Sequence, residues 1–262
     1  VDVVFNAAAM KQVPACEYAP FEAVRTNLDG PENIVRAIQE LKLPVETVIG
    51  ISTDKACKPV NVMGMTKAVQ ERIFIQANLR CANTRFVCVR YGNVLASRGS
   101  VIPLFHEQIR TGGPLTVTTS DMTRFLLSLD DAVDTVFAAY NDGRRGDLFI
   151  PTAPSALVTN VARALIGERP IDISIIGIRP GEKLHEILVS DEEAVRTVRR
   201  GNYYVVLPML PELGGQLPPT PALTKEYSSS DDVMDLAQTA EMLTRYHLMP
   251  GDFAVADGEM LR

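Results

Sequence analysis

Short apolar runs recur along the chain between amphipathic stretches of helical length, and this alternation restricts the fold more than any other feature. Val3-Val4-Phe5 ends in small residues, residues 47–52 read Thr-Val-Ile-Gly-Ile-Ser, and residues 85–91 make a third run. From Pro20, apolar residues fall at three- and four-residue spacing through Phe21, Val24, Leu28, Ile34, Val35, Ile38 and Leu41, which predicts one helical stretch. Further helices are expected at 67–79, 102–110, 130–140 and 158–166, and strands at 147–151 and 171–176. Strands separated by helices predict βαβ units, hence an α/β fold with a parallel sheet covered on both faces. Beyond residue 200, prolines at 208, 211, 218, 219 and 221 flank Gly214-Gly215 and predict irregular chain. Ser229-x-x-Asp232 then has the form of a capping box, opening a last helix with Val233, Leu236, Ala240 and Leu243 on its apolar face.

The 262 residues are 46% hydrophobic, enough for a sizeable core, and the net charge of −6 provides no global attraction to nucleic acid. No apolar run reaches the roughly 18 residues that span a bilayer, and Val1 to Phe5 read as a strand rather than a leader. Four cysteines without C-x-x-C spacing and three histidines propose no metal site; reduced thiols in a cytoplasmic protein are expected.

The chemistry-bearing residues cluster after the second apolar run. Thr53-Asp54-Lys55 follows it directly, and Met63 and Lys67 stand four apart a short distance on. A Ser or Thr followed some ten residues later by Tyr-x-x-x-Lys marks the short-chain dehydrogenase/reductases, where Lys lowers the Tyr pKa for proton transfer during hydride transfer. Here Lys67 is present and Met63 stands where that tyrosine would be. A thioether is only a weak acceptor. Proton transfer then falls to Thr53, Lys55 or water, and ordinary packing is the other reading of Met63.

Asn6-Ala7-Ala8-Ala9, Ser52-Thr53-Asp54-Lys55, Met63-x-x-x-Lys67 and Arg90-Tyr91-Gly92-Asn93-Val94, in this order, resemble an extended short-chain dehydrogenase/reductase. Residues 97–103 (Ser-Arg-Gly-Ser-Val-Ile-Pro), Met122-Thr123-Arg124-Phe125 and Gly177-x-Arg179-Pro180-Gly181-Glu182-Lys183 narrow the resemblance to the CapD-type polysaccharide-biosynthesis enzymes. That group includes inverting UDP-N-acetylglucosamine 4,6-dehydratases, and its capsule and O-antigen branch carries Met at the tyrosine position.

The resemblance implies a Rossmann-like doubly wound parallel sheet and a smaller C-terminal α/β substrate-binding region. Residues 1–95 would complete the dinucleotide-binding domain, 96–200 would be the substrate-binding region interleaved with it, and 201–262 an extension ending in a helix. No G-x-x-G-x-x-G turn precedes Val1, so the N-terminal strands of the sheet are expected to be missing and the chain alone to bind dinucleotide weakly.

The family assigns Lys55 as base and Asp54 as acid, with Thr53, Met63 and Lys67 completing the catalytic set. The cofactor would be NADP, or NAD, held by Ala7, Ala8, Lys11, Asn27 and Lys67. The UDP-sugar would be held by Lys11, Asn93, Val94, Arg98, Gly99, Ser100, Val101, Thr123, Arg179 and Glu182, with Arg179 on the diphosphate because a guanidinium bonds two oxygens at once. The bland alternatives are a solvated Asp54-Lys55 pair, an exposed Lys67, an exposed Asn27 and a surface salt bridge at Arg124. His106, His185 and His247 read as structural or solvated. A homo-oligomer, dimer or hexamer, follows from the resemblance.

Three functions compete. A C5-inverting UDP-N-acetylglucosamine 4,6-dehydratase is favoured by Asp54-Lys55, since elimination needs an acid and a base together. A UDP-glucose or UDP-N-acetylglucosamine 4-epimerase needs no such pair, and an inactive remnant lacking the cofactor loop is the third.

Overall fold

The first three apolar runs form β1 (Val3–Asn6), β2 (Thr47–Thr53) and β3 (Arg85–Tyr91), hydrogen-bonded in parallel in that order. Leu148–Pro151 adds a fourth parallel strand beside β3. This computed structural model describes residues 1–97 and 99–252. β2 and β3 are rich in Val, Ile and Phe and buried along most of their length, as a strand between two helical layers must be. Ile49, Val87, Val89 and Phe149 are packed with Val205 in one fully buried cluster, each contributing about 1.5–3 kcal/mol by leaving water. Gly50 lies at this centre because a Cβ there would come within 2.4 Å of the Phe74 ring.

Two strands of this sheet were not expected. Tyr203–Val206 runs antiparallel to Leu148–Pro151 and turns back on Thr197–Arg200, making the sheet six-stranded and mixed. The prolines correctly mark irregular chain only after this hairpin. The hairpin itself is specified by a partner strand some fifty residues earlier.

The helical stretch expected from Pro20 is instead Pro20–Val24, a π turn at Arg25–Asp29 and Gly30–Glu40, preceded by Val13–Tyr18. The helix expected from Lys67 begins at Val62 and ends at Arg80, its first turn capped by Asn61, whose side chain accepts from Gly64 N at 2.8 Å. No helix among the described residues is long and apolar enough to cross a membrane.

The chain folds into two compact units. The first joins Val1–Tyr91, Asp130–Thr152 and Ile187–Ser228; the second joins Gly92–Leu129, Ala153–Glu186 and the chain from Ser229. In the second, a four-stranded sheet runs Val233–Met234, Ser155–Leu157, Thr123–Leu127, Asn93–Val94, and Leu115–Val117 pairs in parallel with Ile173–Ile175. Ile102, Phe105, Leu115, Leu165 and Leu243 form its core.

The last helix among the described residues is Leu236–Arg245, and its capping box is Asp235 with Gln238. Ser229 does not cap it: the Ser229 hydroxyl meets Thr123 Oγ1 at 2.7 Å and accepts from Glu186 N at 2.9 Å. Val233 accordingly lies in a strand.

Candidate active site

Parallel strands carry ligands beyond their C-terminal ends, and Thr53, Asp54 and Lys55 stand at that end of β2. Asp54–Ala56 forms a single 3₁₀ turn closed by Thr53, whose Oγ1 accepts from Lys55 N at 3.4 Å and donates to Asp54 Oδ1 at 2.9 Å. Lys55 Nζ donates to the same Oδ1 at 3.0 Å. Asp54 is only 1% exposed and Lys55 23%. The solvated-pair alternative therefore fails for Asp54. Its other oxygen, Oδ2, is buried without a hydrogen-bond partner among the described residues, an acceptor position that a ligand hydroxyl would satisfy.

The Val62–Arg80 helix approaches this turn so closely that a Cβ on Gly64 would lie 2.2 Å from the Lys55 carbonyl oxygen. Met63, one residue earlier, packs in a buried apolar cluster with Cys16 and Ala23. Lys67 is 5% exposed, not the exposed helix lysine that was the alternative. Its Nζ donates to Ile51 O at 2.5 Å and Gln70 Oε1 at 2.6 Å, and burial brings its pKa down to about 8.

Asn27 is fully buried at the π turn, also against the exposed alternative. Its Oδ1 accepts from Met10 N at 2.8 Å, while Nδ2 donates to Met10 O at 3.2 Å and Thr66 Oγ1 at 2.9 Å. The extra residue of a π turn is a frequent way to aim one side chain inward at a functional site. Asn27 thereby ties the segment after β1 to the helix that carries Lys67. Ala7, Ala8 and Lys11 are exposed in that segment. Asn6, part of the first motif but not of the expected cofactor set, ends β1 with its Nδ2 buried and unpartnered among the described residues.

In the second unit, Asn93 and Val94 form a short strand, and Asn93 Oδ1 is buried without a partner among the described residues. Gly99 has φ 72°, and Ser100 precedes the Val101–Arg110 helix with its Oγ buried and making no cap. Arg98 lies outside the described residues. Thr123 is buried, its Oγ1 2.8 Å from His185 Nδ1 and 2.7 Å from Ser229 Oγ. Arg124 donates to the carbonyls of Thr123, Lys183 and Leu184 and pairs with the buried Glu186 at 3.8 Å, so its ion pair lies inside the unit and not at the surface. Arg179 is exposed; its backbone N–H donates to Glu182 Oε2 at 3.4 Å.

The sequence reading missed the polar groups beneath the Thr53–Lys55 turn. Ser52 Oγ donates to Glu71 Oε1 at 2.5 Å, and Arg90 is held between Glu71 at 2.6 Å and Glu193 at 2.7 Å. The signal for Glu71 was available: it lies four residues after Lys67, one turn along the same helix. Nothing local to Glu193 tells that it meets Arg90, 103 residues away.

Comparison with known proteins gives a consistent result. The profile of the family described as polysaccharide biosynthesis protein matches residues 1–208. A UDP-glucose 4-epimerase of Rickettsia canadensis is 49% identical over 208 residues, 78% of this chain and 60% of the relative. The chain thus spans about 60% of the length of the curated relatives it matches. The crystal structure of Pen from Bacillus thuringiensis superposes with TM-score 0.86 at 33% identity, covering 95% of this chain and 77% of that one. A double mutant of the dTDP-glucose 4,6-dehydratase DesIV from Streptomyces venezuelae shares the fold, with TM-score 0.63 at 18% identity over 70% of this chain and 63% of its own.

Proposed function

The chain belongs to the polysaccharide biosynthesis protein family and has the Rossmann-like fold of the extended short-chain dehydrogenase/reductases, and from that premise we propose that it is the greater part of a UDP-N-acetylglucosamine 4,6-dehydratase that inverts C5. The observation that carries this reading is the buried Asp54 carboxylate, bonded through one oxygen to Lys55 and Thr53 and open at the other.

Elimination across C5 and C6 needs a base for the C5 proton and an acid for the departing C6 hydroxyl. The Lys55–Asp54 ion pair holds the required proton already. Transferred across the 3.0 Å hydrogen bond from Nζ to Asp54 Oδ1, it leaves a neutral amine as base and a carboxylic acid as proton donor. Lys55 then takes the C5 proton, Asp54 protonates the leaving hydroxyl, and the ion pair is restored. When the hydride has returned to C6, C5 takes a solvent proton on its opposite face, and this balances the C4 hydroxyl proton released to solvent on oxidation. Thr53 Oγ1 is the hydroxyl this turn offers to the C4 hydroxyl proton, since Met63 is committed to packing.

Bound NADP or NAD would accept and return the hydride. The residues present fit its nicotinamide ribose end. Lys67 uses two of its three N–H donors on Ile51 O and Gln70 Oε1 and keeps one, and Asn6 Nδ2 is an unsatisfied buried donor beside Ala7 and Ala8. Asn27 fixes Met10, next to Lys11. Nucleotide-sugar binding we assign to Asn93, Gly99, Ser100, Thr123, Arg179 and Glu182, in an oligomer of two or six copies in the cytoplasm.

A second reading, 4-epimerisation, is favoured by the name of the 49%-identical relative. The test is to incubate the full-length form with NADP and UDP-N-acetylglucosamine in deuterated water. The expected product lacks the C6 hydroxyl and carries deuterium at C5. A C4 epimer without C5 deuterium would replace the proposal with the second reading, and an inert full-length enzyme would sink both.

A further inference from the structure

The end of β2 and the turn after it are gripped by one helix. β1 pairs only as far as Asn6, opposite Gly50, so Ile51, Ser52 and Thr53 run on beside β3 alone among the described strands. The Val62–Arg80 helix meets them there. Ile51 O accepts from Lys67 Nζ at 2.5 Å and from Gln70 Nε2 at 3.1 Å, and Ser52 Oγ donates to Glu71 Oε1 at 2.5 Å. Gly64, two turns before Glu71, is the residue whose missing side chain lets the helix approach the Lys55 carbonyl. Gly64, Lys67 and Glu71 share one helix face, and that face touches both the strand end and the turn.

Glu71 is itself held still. Its Oε1 also accepts from Arg90 Nε at 3.0 Å, and its Oε2 accepts from Arg90 Nη2 at 2.6 Å. Arg90 stands opposite Ser52 on β3 and is tied further to Leu188 O at 2.9 Å and Glu193 at 2.7 Å. Ser52, Gln70, Glu71 and Arg90 are 4%, 0%, 2% and 1% exposed, so water does not compete for these bonds and each is strong. An alanine at position 52 would fill the strand with no hydroxyl to satisfy. What the serine adds is a directed bond one residue before Thr53.

We propose that Ser52 and Glu71 are positioning residues for the acid–base turn: their buried hydrogen bond fixes the direction in which Thr53, Asp54 and Lys55 leave β2, so that the Asp54 and Lys55 side chains meet one substrate together. The inference rests on the dehydratase reading, since elimination is the step that needs both groups aligned at C5 and C6. Neither Ser52 nor Glu71 touches the sugar. They act through the backbone of the turn, where a shift of about 1 Å is enough to cost a large part of the rate.

The test is Ser52→Ala in the full-length form, beside Ser52→Thr, which keeps the donor and suits a strand. Glu71 and Arg90 remain paired in both, so no buried charge is orphaned. Parent and variants are incubated with NADP and UDP-N-acetylglucosamine in deuterated water, and two quantities are read: product lacking the C6 hydroxyl, and C5 deuterium in the recovered sugar. When Lys55 removes the C5 proton and Asp54 does not meet the leaving hydroxyl, a solvent deuteron bonds to C5, the hydride returns to C4, and the C6–O bond stays intact. Ser52→Ala is expected to lower kcat for elimination at least about tenfold with KM little changed, and to raise the ratio of C5 exchange to elimination. Ser52→Thr should bring that ratio back to the parent's. A smaller folded fraction would reduce exchange and elimination alike and leave their ratio where it was. With neither substrate nor cofactor present, amide hydrogen exchange of residues 53–57 should quicken in Ser52→Ala while that of β3 stays the same. An unchanged ratio in Ser52→Ala, a ratio raised equally in Ser52→Thr, or unchanged amide exchange at 53–57 overturns the positioning role. A parent that yields no product lacking the C6 hydroxyl overturns the dehydratase reading instead, and the amide exchange then decides by itself whether Ser52 holds the turn.

Discussion

Lys67 has two good acceptors, Ile51 O and Gln70 Oε1, yet burial outweighs them and its pKa falls to about 8. In the unfolded chain the same amine titrates near 10.4. Between these values the unfolded state binds the extra proton, so stability rises with pH across the window of about 8 to 10.4; below 8 the full cost of a buried ammonium is felt. In protein labelled with ¹³C at lysine Cε, one resonance is expected to titrate near pH 8 and to vanish in Lys67→Met. If every lysine titrates above 10, the lowering of the Lys67 pKa by burial is wrong. Met63 invites the opposite experiment. Tyrosine there would restore the familiar pattern, but it places a hydroxyl among Cys16 and Ala23. We expect Met63→Tyr to lose about 1–3 kcal/mol in urea unfolding; an equally stable variant would show room for a phenol. At this scale the sequence made Asp54, Lys55 and Lys67 legible because they share one short stretch. It could not show that Asn27 is buried, because the π turn that turns it inward answers to Met10 and Thr66, residues distant along the chain.

Among the elements, the four-residue helix Asp191–Ala194 is the least able to stand by propensity alone, and its stability is borrowed from Glu193. That residue closes the capping box with Ser190 and also accepts from Arg90. Burial by itself would raise the Glu193 pKa, but the charge and hydrogen bonds of Arg90 win and lower it. A lowered carboxylate pKa contributes stability that is present above about 4.3, the unfolded value, and lost as pH falls through the folded one. Glu193→Gln is therefore expected to cost about 3–5 kcal/mol at pH 7, where it leaves Arg90 short of a buried partner, and progressively less as acid protonates the parent. Urea unfolding at pH 7 and in the acid limb checks this, and a pH-independent gap would refute it. Capping illustrates what local pattern can decide. Ser229-x-x-Asp232, Ser190-x-x-Glu193 and Asp235-x-x-Gln238 all have an acceptable form, and only the last two cap a helix. Ser229 is removed from the contest by Thr123 and Glu186, partners more than forty residues away.

For the molecule as a whole, the alternation of apolar runs and helices was sufficient to give the parallel strands, since each is a short apolar run set off by a helical stretch. The distribution of chain between the two units was not legible, because it depends on which distant stretches share a core. Residues 1–95 read as a continuous part of one domain, yet β3 is completed on its far side by Leu148–Pro151, which in turn needs Tyr203–Val206. Ile49, Val87 and Val89 bury themselves against Phe149 and Val205, both outside that stretch. Cutting at residue 95 would expose the backbone edge of β3 and strip one side from the cluster, a loss that a short segment with a small core cannot absorb. A fragment of residues 1–95 is expected to show collapsed amide dispersion in a two-dimensional nitrogen–proton spectrum, with no cooperative thermal transition. Joining 1–91, 130–152 and 187–228 through short flexible linkers keeps all six strands and should recover a transition. A well-dispersed spectrum from the short fragment would mean that β1 to β3 hold together without their neighbours, and that the first unit is less cooperative than its shared core implies.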